Sequence, residues 1–568
     1  MHNPSRTKAA TALTGLLFTL CSLTALRADV KPAALFGDHM VLQQGMSVPV
    51  WGWADPGEQV TVSIAGQKQS ATAGADRKWM VRLANLRASA DPLEMTIAGK
   101  NTIRIVDILV GEVWLGSGQS NMDFVVSGDT AKYPGMAQRF AGIANEAEEI
   151  AAANCPKIRE FRVPLKTSEL PLEDVAGKWQ VCTPAMAPGF SAIAYLFSRD
   201  LQQAINQPIG FITSAFGASC AQAWVSQDVL ESDARLKPIM DGFAAQVAAF
   251  KSAAAAAAAA DSPAPPATAP PAQAGGARGG RGGGRGNPLT NQHSPYVLWN
   301  AMIKPIQPYA IKGVLWYQGE SITEGLQLYP VVMEHVIASW RQQWGQGEFP
   351  FYFVQLAAED ANSNRPEVRE AQAQALKVPN TAMAVAMDIG EKTNVHPKNK
   401  QDLCDRLARI ARANVYGERI ESSGPVYDSM QVEGQSIRVK FTHLGGGLVA
   451  KGGDLKWFQI AGADRNFVDA AAKIDGNTIV VTAPGVAAPV AVRYAWHRWP
   501  EGANLYNAAG LPAPQFRSDD WASPAPAPDR GPAPAPAPAA GRGPAPAPAP
   551  APDRDPAPAP AAGRGPRE

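Results

Sequence analysis

The stretch VWLGSGQSNM, residues 113–122, decides how the middle of this chain folds. Its apolar run stops at Leu115, small residues follow, and Ser120 stands between Gln119 and Asn121. A short apolar run that ends in a Gly-rich turn reads as a buried strand delivering a polar loop at its carboxyl end. Four further runs share this texture: GFITS (210–214), GVLWY (313–317), FYFVQL (351–356) and MAVAM (383–387). Segments of helical period lie between and after these runs. Ile193, Phe197, Leu201 and Ile205 share one face, as do Met333, Ile337, Trp340 and Trp344, and again Leu403, Leu407 and Ile410. This alternation predicts an α/β fold, a parallel sheet flanked by helices on both faces. Ligands bind such sheets at the carboxyl ends of the strands.

On either side the punctuation changes. Residues 29–107 carry VPVWGW, QVTVSIAG, WMVRL and LEMTIAG between Pro, Gly and Asp turns, and residues 424–520 carry IRVKF, TIVVTAP and VAVRYAW. That spacing predicts N-terminal and C-terminal β-sandwich-like modules flanking an α/β domain at 108–423. A chain of 568 residues is too long for one core, which agrees. Within the α/β domain, 252–288 is a low-complexity insert, an Ala/Pro tract running into GGARGGRGGGRG. Residues 521–568 form a Pro/Ala-rich tail. Neither segment has the apolar surface to offset its ordering entropy, so a surface insert and a disordered tail are expected.

At the start, Arg6 and Lys8 precede an apolar stretch over 12–26 that ends in LRAD. This predicts a signal peptide at 1–28 and a secreted or periplasmic protein. The run is too short and interrupted for a membrane span, and no later segment qualifies. Lys and Arg (52) balance Asp and Glu (51), so nothing suggests nucleic acid, which demands clustered excess positive charge. After the leader, Cys155, Cys182, Cys220 and Cys404 remain. Four cysteines allow three full pairings, and their spacing is wrong for zinc, so no metal and no cofactor are expected.

The loops after the strands carry the chemistry. VWLG leads to Gln119-Ser120-Asn121, GFITS to Phe216-Gly217-Ala218-Ser219, and GVLWY to Gln318-Gly319-Glu320-Ser321. MAVAM leads to Asp388-Ile389-Gly390-Glu391 and then to Asn394-Val395-His396-Pro397. Parallel strands would bring all four loops to one edge. Acyl transfer needs a hydroxyl, a base to take its proton, and fixed N–H donors for the oxyanion. Ser120 would supply the oxygen and His396 the base. The Ser120 and Gly217 backbone amides and the Gln318 side chain would form the oxyanion hole. Taken singly each residue is bland: a serine in a turn, a loop histidine, a glutamine tying down backbone, a glycine kept for its φ. The seven histidines narrow the choice, because only His396 follows a sheet strand and precedes a helix. Met122 stands where G-x-S-x-G has its second glycine, which argues against the strained elbow of a general lipase.

GEVWLGSGQSNM, LWYQGES and HPKNKQDLCDRLA together resemble the sialate O-acetylesterase family, a branch of the SGNH-type hydrolases. FGDHMVLQQGMSVPVWGWADPGEQV, REAQAQALKVPNTAMAVAMDIGE and VRYAWHRWPEGANLYNAAGLPAPQFRSD extend the likeness over residues 30–520 apart from the insert. The resemblance implies an SGNH-hydrolase-like sheet and a serine esterase that removes O-acetyl groups from carbohydrates through an acyl-enzyme. Acetylated sialic acid and an acetylated plant polysaccharide such as xylan both suit it as substrate. By position, Ser120 matches the nucleophile, His396 the base, and Gly217 and Gln318 the oxyanion segments. Gln119, Asn121, Glu320 and Arg369 are candidate substrate contacts, with Asp123, Gln372 and Ile322 nearby in sequence.

Two departures from the family stand out. Phe216-Gly217-Ala218-Ser219 replaces the usual W-G-G-T, and Asn394 stands where many relatives have a carboxylate two residues before the histidine. An amide orients an imidazole but does not compensate its charge. Either Ser120 and His396 work as a dyad, with Asn394 or a backbone carbonyl as orienter, or Asp388 or Glu391 reaches the ring. A carbohydrate-binding or scaffold protein with a degenerate esterase site is the alternative reading.

Overall fold

The computed structural model describes residues 29–131, 137, 139–259, 287–323, 325–361 and 364–521. The signal peptide expected at 1–28, residues 260–286 of the insert and the tail from 522 lie outside the described residues. Seven strands of one sheet position the loops discussed above: β1 (Thr102–Gly118), β2 (Cys155–Arg162), β3 (Trp179–Cys182), β4 (Ile209–Ala215), β5 (Gly313–Tyr317), β6 (Phe351–Gln355) and β7 (Thr381–Val385). Their spatial order is β3-β2-β4-β1-β5-β6-β7. All neighbours pair in parallel except β3, which closes one edge antiparallel to β2. The five apolar runs of the sequence therefore sit side by side, with their carboxyl ends on one edge.

Five helices matter for the site: α1 (Ser120–Asp123), α2 (Ala192–Ile205), α3 (Tyr329–Trp344), α4 (Arg365–Ala373) and α5 (Lys400–Asn414). Side chains alternate across a strand, and the apolar clusters follow that alternation. Trp114, Leu315, Tyr317, Tyr352 and Val354 pack with Leu196, Phe197, Leu403 and Leu407 of α2 and α5. Val113, Leu115, Val314, Trp316, Phe351 and Phe353 pack with Val332, Met333 and Trp340 of α3 on the other side. Both faces are covered, which is why these strands read as unbroken apolar runs. Ser191 and Asn399 start α2 and α5 by accepting from the backbone N–H of Ala194 and Asp402.

β1 is 17 residues long and belongs to two layers. Its first part pairs antiparallel with Ser89–Ala98, and residues 109–111 pair with Val41–Gln43. Its last part lies between β4 and β5. The strand runs without a break across positions 107 and 108, where the sequence divides one module from the next. Asp107 marks the place with a positive φ of 54° and an irregular register. Its carboxylate is held by Arg159 (2.9 Å) and His39 (2.6 Å).

Upstream of β1 and beyond residue 424 the strands are short and mainly antiparallel. Val48–Trp53 pairs with Lys78–Leu83, Val426–Glu433 with Ser436–Thr442, and Phe458–Ala461 with Ala491–Tyr494. The helix Lys237–Ala259 runs on into the alanine tract assigned to the insert, as the best helix former would. The four described cysteines are free thiols, and Cys155 faces Cys182 across the β2–β3 pair. Among the described residues no helix is long and apolar enough to cross a membrane.

Candidate active site

β1 ends at Gly118, and the chain turns at once into α1, whose first residue is Ser120. The turn presses against β5: a Cβ on Gly118 would lie 2.2 Å from the Tyr317 carbonyl oxygen, and its φ is 130°. Only glycine fits there. Ser120 is half-buried at the strand-end edge, with the β4 loop beside it. A Cβ built on Gly217 would lie 3.8 Å from that of Ser120. The β4 loop is a tight turn in which Ser219 N–H donates to the Phe216 carbonyl (3.2 Å). Ala218 carries its positive φ of 58°, so Ala218 and not Gly217 holds the conformation that glycine prefers. Among the described residues, neither the Ser120 nor the Gly217 N–H donates to a backbone carbonyl.

His396 arrives from the loop between β7 and α5. Its Nε2 lies 2.8 Å from Ser120 Oγ, across 276 positions of sequence. Its Nδ1 faces the Arg139 carbonyl oxygen at 3.2 Å. A carbonyl only accepts, so Nδ1 carries the proton and Nε2 presents its lone pair to the serine hydroxyl. The ring is 4% exposed and lies between Phe140 (4.8 Å between centroids) and Phe124 (5.7 Å). Burial, with help from the Lys400 and Arg139 charges, lowers its pKa to about 3. Such a group is a neutral base across the whole ordinary pH range.

A Ser–His pair at this edge occurs in more than one hydrolase, so likeness to known proteins is needed to choose among them. The family model for carbohydrate esterase, sialic acid-specific acetylesterase, matches residues 283–412. The sialate O-acetylesterase of Rattus norvegicus is 30% identical over 549 residues, covering 85% of this chain and 93% of its own. That of Homo sapiens is 29% identical over 539 residues, covering 85% and 91%. A carbohydrate acetylesterase from Xanthomonas citri has a crystal structure that is similar with a TM-score of 0.72 and 32% identity, over 87% of this chain and 100% of its own. The chain belongs to the sialate O-acetylesterase family. It is a carboxylic ester hydrolase, and the reading as a binding or scaffold protein falls away.

Within this esterase several expected residues take other posts. Gln318 has no N–H left for an oxyanion, because its amide donates to the Ser219 (3.1 Å) and Ser321 (2.9 Å) carbonyls. It pins the β4 and β5 loops together. None of the three proposed orienters touches the imidazole. Asn394 accepts from the His396 backbone N–H (3.0 Å) and donates to the His396 carbonyl (2.9 Å). Glu391 accepts from Asn394 Nδ2 and from the Lys398 backbone. Asp388 is consumed by both Arg406 guanidinium nitrogens and by the Tyr506 hydroxyl, all at 2.7 Å.

The substrate candidates are likewise engaged inside the esterase. Gln119 Oε1 accepts from the Gly319 and Ser321 backbone (both 3.3 Å). Arg369 is 0% exposed and donates to the Leu356, His497 and Arg498 carbonyls and to Gln515 Oε1. It braces α4 against His497, Arg498 and Gln515 of the C-terminal region. Asp123 pairs with Arg162 at 2.5 Å, and Gln372 donates to the Gln318 and Val354 carbonyls. Asn121 and Glu320 do meet beside the pair, Asn121 Nδ2 donating to Glu320 Oε1 at 2.6 Å. Burial raises the Glu320 pKa, and among the described residues its Oε2 has no hydrogen-bond partner.

Sequence reasoning missed four residues around the pair. The Arg139 carbonyl left no signal, since any residue supplies one. Phe124 and Phe140, which wall the imidazole, read as ordinary apolar positions. Lys400 was legible only as the fourth residue past His396 in HPKNK. Among the described residues no group of three or more His, Cys, Asp or Glu side chains could hold a metal ion.

Proposed function

We propose that this chain is a serine esterase that removes O-acetyl groups from carbohydrates through an acyl-enzyme on Ser120. The observation that carries this reading is the 2.8 Å contact between His396 Nε2 and Ser120 Oγ, with Nδ1 tied to a carbonyl. His396 takes the hydroxyl proton as Oγ attacks the acetyl carbon, and the oxyanion forms beside the Ser120 and Gly217 amides. The imidazolium then protonates the departing sugar oxygen, which leaves as a hydroxyl, and acetyl-Ser120 remains. Water then attacks the acetyl carbon while giving a proton to His396, and the imidazolium returns that proton to Ser120 Oγ as the acyl bond breaks and acetate leaves. The base works as half of a dyad, with the Arg139 carbonyl dipole in the place of a carboxylate.

Relatives named sialate O-acetylesterases, and one named a carbohydrate acetylesterase, support an acetylated carbohydrate as the substrate class; acetylated sialic acid and an acetylated plant polysaccharide such as xylan are the two candidates. Ser120→Ala and His396→Ala are each expected to lose at least about a thousandfold in kcat while melting as the parent does. Acetate release from p-nitrophenyl acetate and from a panel of acetylated glycans measures this, and near-normal turnover in either variant would overturn the assignment. The same reading makes 1–28 a leader removed on export, and 108–423 the catalytic region between two β-modules. A mature protein that begins elsewhere than Asp29 by mass spectrometry would refute the leader.

A further inference from the structure

Lys400 is a charged side chain with 0% exposure, and the hydrogen-bond acceptors of its Nζ among the described residues are a side-chain amide and a backbone carbonyl, not a carboxylate. An unpaired ammonium in such a place costs several kcal/mol, and an apolar residue would pack there without that cost. Its partners are all at the Ser120–His396 pair. Nζ donates to Asn121 Oδ1 at 2.8 Å and to the Pro397 carbonyl at 2.7 Å. The charge also stands over the rings of Phe124 (5.2 Å) and Tyr317 (5.7 Å).

Asn121, next to the nucleophile in the chain, is fixed from both ends. Its Oδ1 meets the Lys400 ammonium, while Nδ2 donates to the Glu320 carboxylate and to the Val395 carbonyl (2.9 Å). A cationic donor at its oxygen and acceptors at its nitrogen leave the amide a single orientation. Val395 precedes His396 and Pro397 follows it. The two carbonyls flanking the base are thus gripped by Asn121 and Lys400, and Asn121 adjoins Ser120. We propose that Lys400 is a positioning residue of the esterase: with Asn121 it clamps the backbone on both sides of His396 and so sets where the imidazole meets Ser120.

The charge has a second effect. The cations acting on the imidazole are Lys400 from α5 and Arg139 from the loop over the ring, with Phe124 and Phe140 flanking it. Lys400 in turn is affected by Glu320, Glu391 and Cys404, and burial lowers its own pKa to about 8. A cation beside a base disfavours its protonated form, so removing the cation moves protonation of His396 to higher pH.

The proposal rests on Ser120 and His396 being the working pair, and the test separates the two claims. In full-length Lys400→Met, kcat on p-nitrophenyl acetate is expected to fall ~100-fold with KM within about threefold, the size of loss that misplacement produces. The acid limb of kcat/KM should move to higher pH, which a merely structural role would not cause. Lys400→Gln keeps an N–H donor without the charge, and should recover part of kcat while leaving the limb raised. Asn121→Ala and Lys400→Met together should cost little more than either alone. A normally folded Lys400→Met with kcat within about threefold of the parent and an unmoved acid limb would overturn the proposal. Wild-type protein without Ser120-dependent acetate release would refute the esterase reading instead. The clamp is then judged by NMR titration of His396, assigned through His396→Gln: an upward shift in Lys400→Met supports it, and an unchanged titration sinks it.

Discussion

Burial of His396, with the Lys400 and Arg139 charges beside it, outweighs the opposing pull of the Arg139 carbonyl on Nδ1, and this gives the site an unusual response to acid. A base with a pKa of about 3 stays unprotonated where an ordinary imidazole has already filled. At pH 5, kcat/KM on p-nitrophenyl acetate is expected within about threefold of its value at pH 7, whereas an ordinary histidine would lose roughly thirtyfold. The same shift costs stability in acid. The folded pKa lies below the usual 6.5, so the unfolded chain binds this proton first. The contribution is complete above about pH 6.5 and is lost as pH falls from there toward about 3. Ala218 offers a second test at this scale. An L-residue at a φ of 58° is strained by about 1–2 kcal/mol, only partly offset by glycine's freedom in the unfolded chain. Ala218→Gly is expected to stabilise the protein by about 1 kcal/mol in urea titration, with kcat unchanged or higher.

At the level of strands and helices, the five apolar runs were legible because strands covered on both faces carry little but apolar residues. The helices α2, α3 and α5 were legible through their spacing. β2 was not, since CPKIREFR is half polar: Glu160 hides there by accepting from Ser191 N–H and Thr213 Oγ1, a partnership that no local pattern displays. The role of Asp388 was misjudged for a similar reason. It stands near His396 in sequence, yet Arg406 in the middle of α5 claims it. The pair fastens α5 to the end of β7, with side-chain exposures of only 8% and 7%. Asp388→Asn should therefore cost about 3–5 kcal/mol of stability by leaving the guanidinium without its counter-charge. Activity per folded molecule should stay within about tenfold of the parent, because no carboxylate of Asp388 reaches the ring. A loss of kcat beyond that with unchanged melting would make Asp388 part of the chemistry.

Across the whole molecule, the contacts that join modules were the least visible in sequence, because they pair residues more than a hundred positions apart. Arg369 shows the problem: near an active-site strand, an arginine suggests a substrate contact, yet its donors go to His497, Arg498 and Gln515 of the C-terminal region. Arg517 with Glu370 and Arg498 with Asp360 add to the same seam. Arg369→Met would strand several buried acceptors at about 1–3 kcal/mol each, so a marked fall in melting temperature is expected. KM should not move, and a rise in KM without loss of stability would return Arg369 to the substrate. The other end of the molecule is joined more intimately, since β1 pairs with the N-terminal strands through one half and leads to Ser120 with the other. Recombination between relatives at residue 108 would splice two half-strands of different ancestry within a single hydrogen-bonded ladder. The N-terminal region and the serine it leads to must therefore be inherited, exchanged or engineered as one piece.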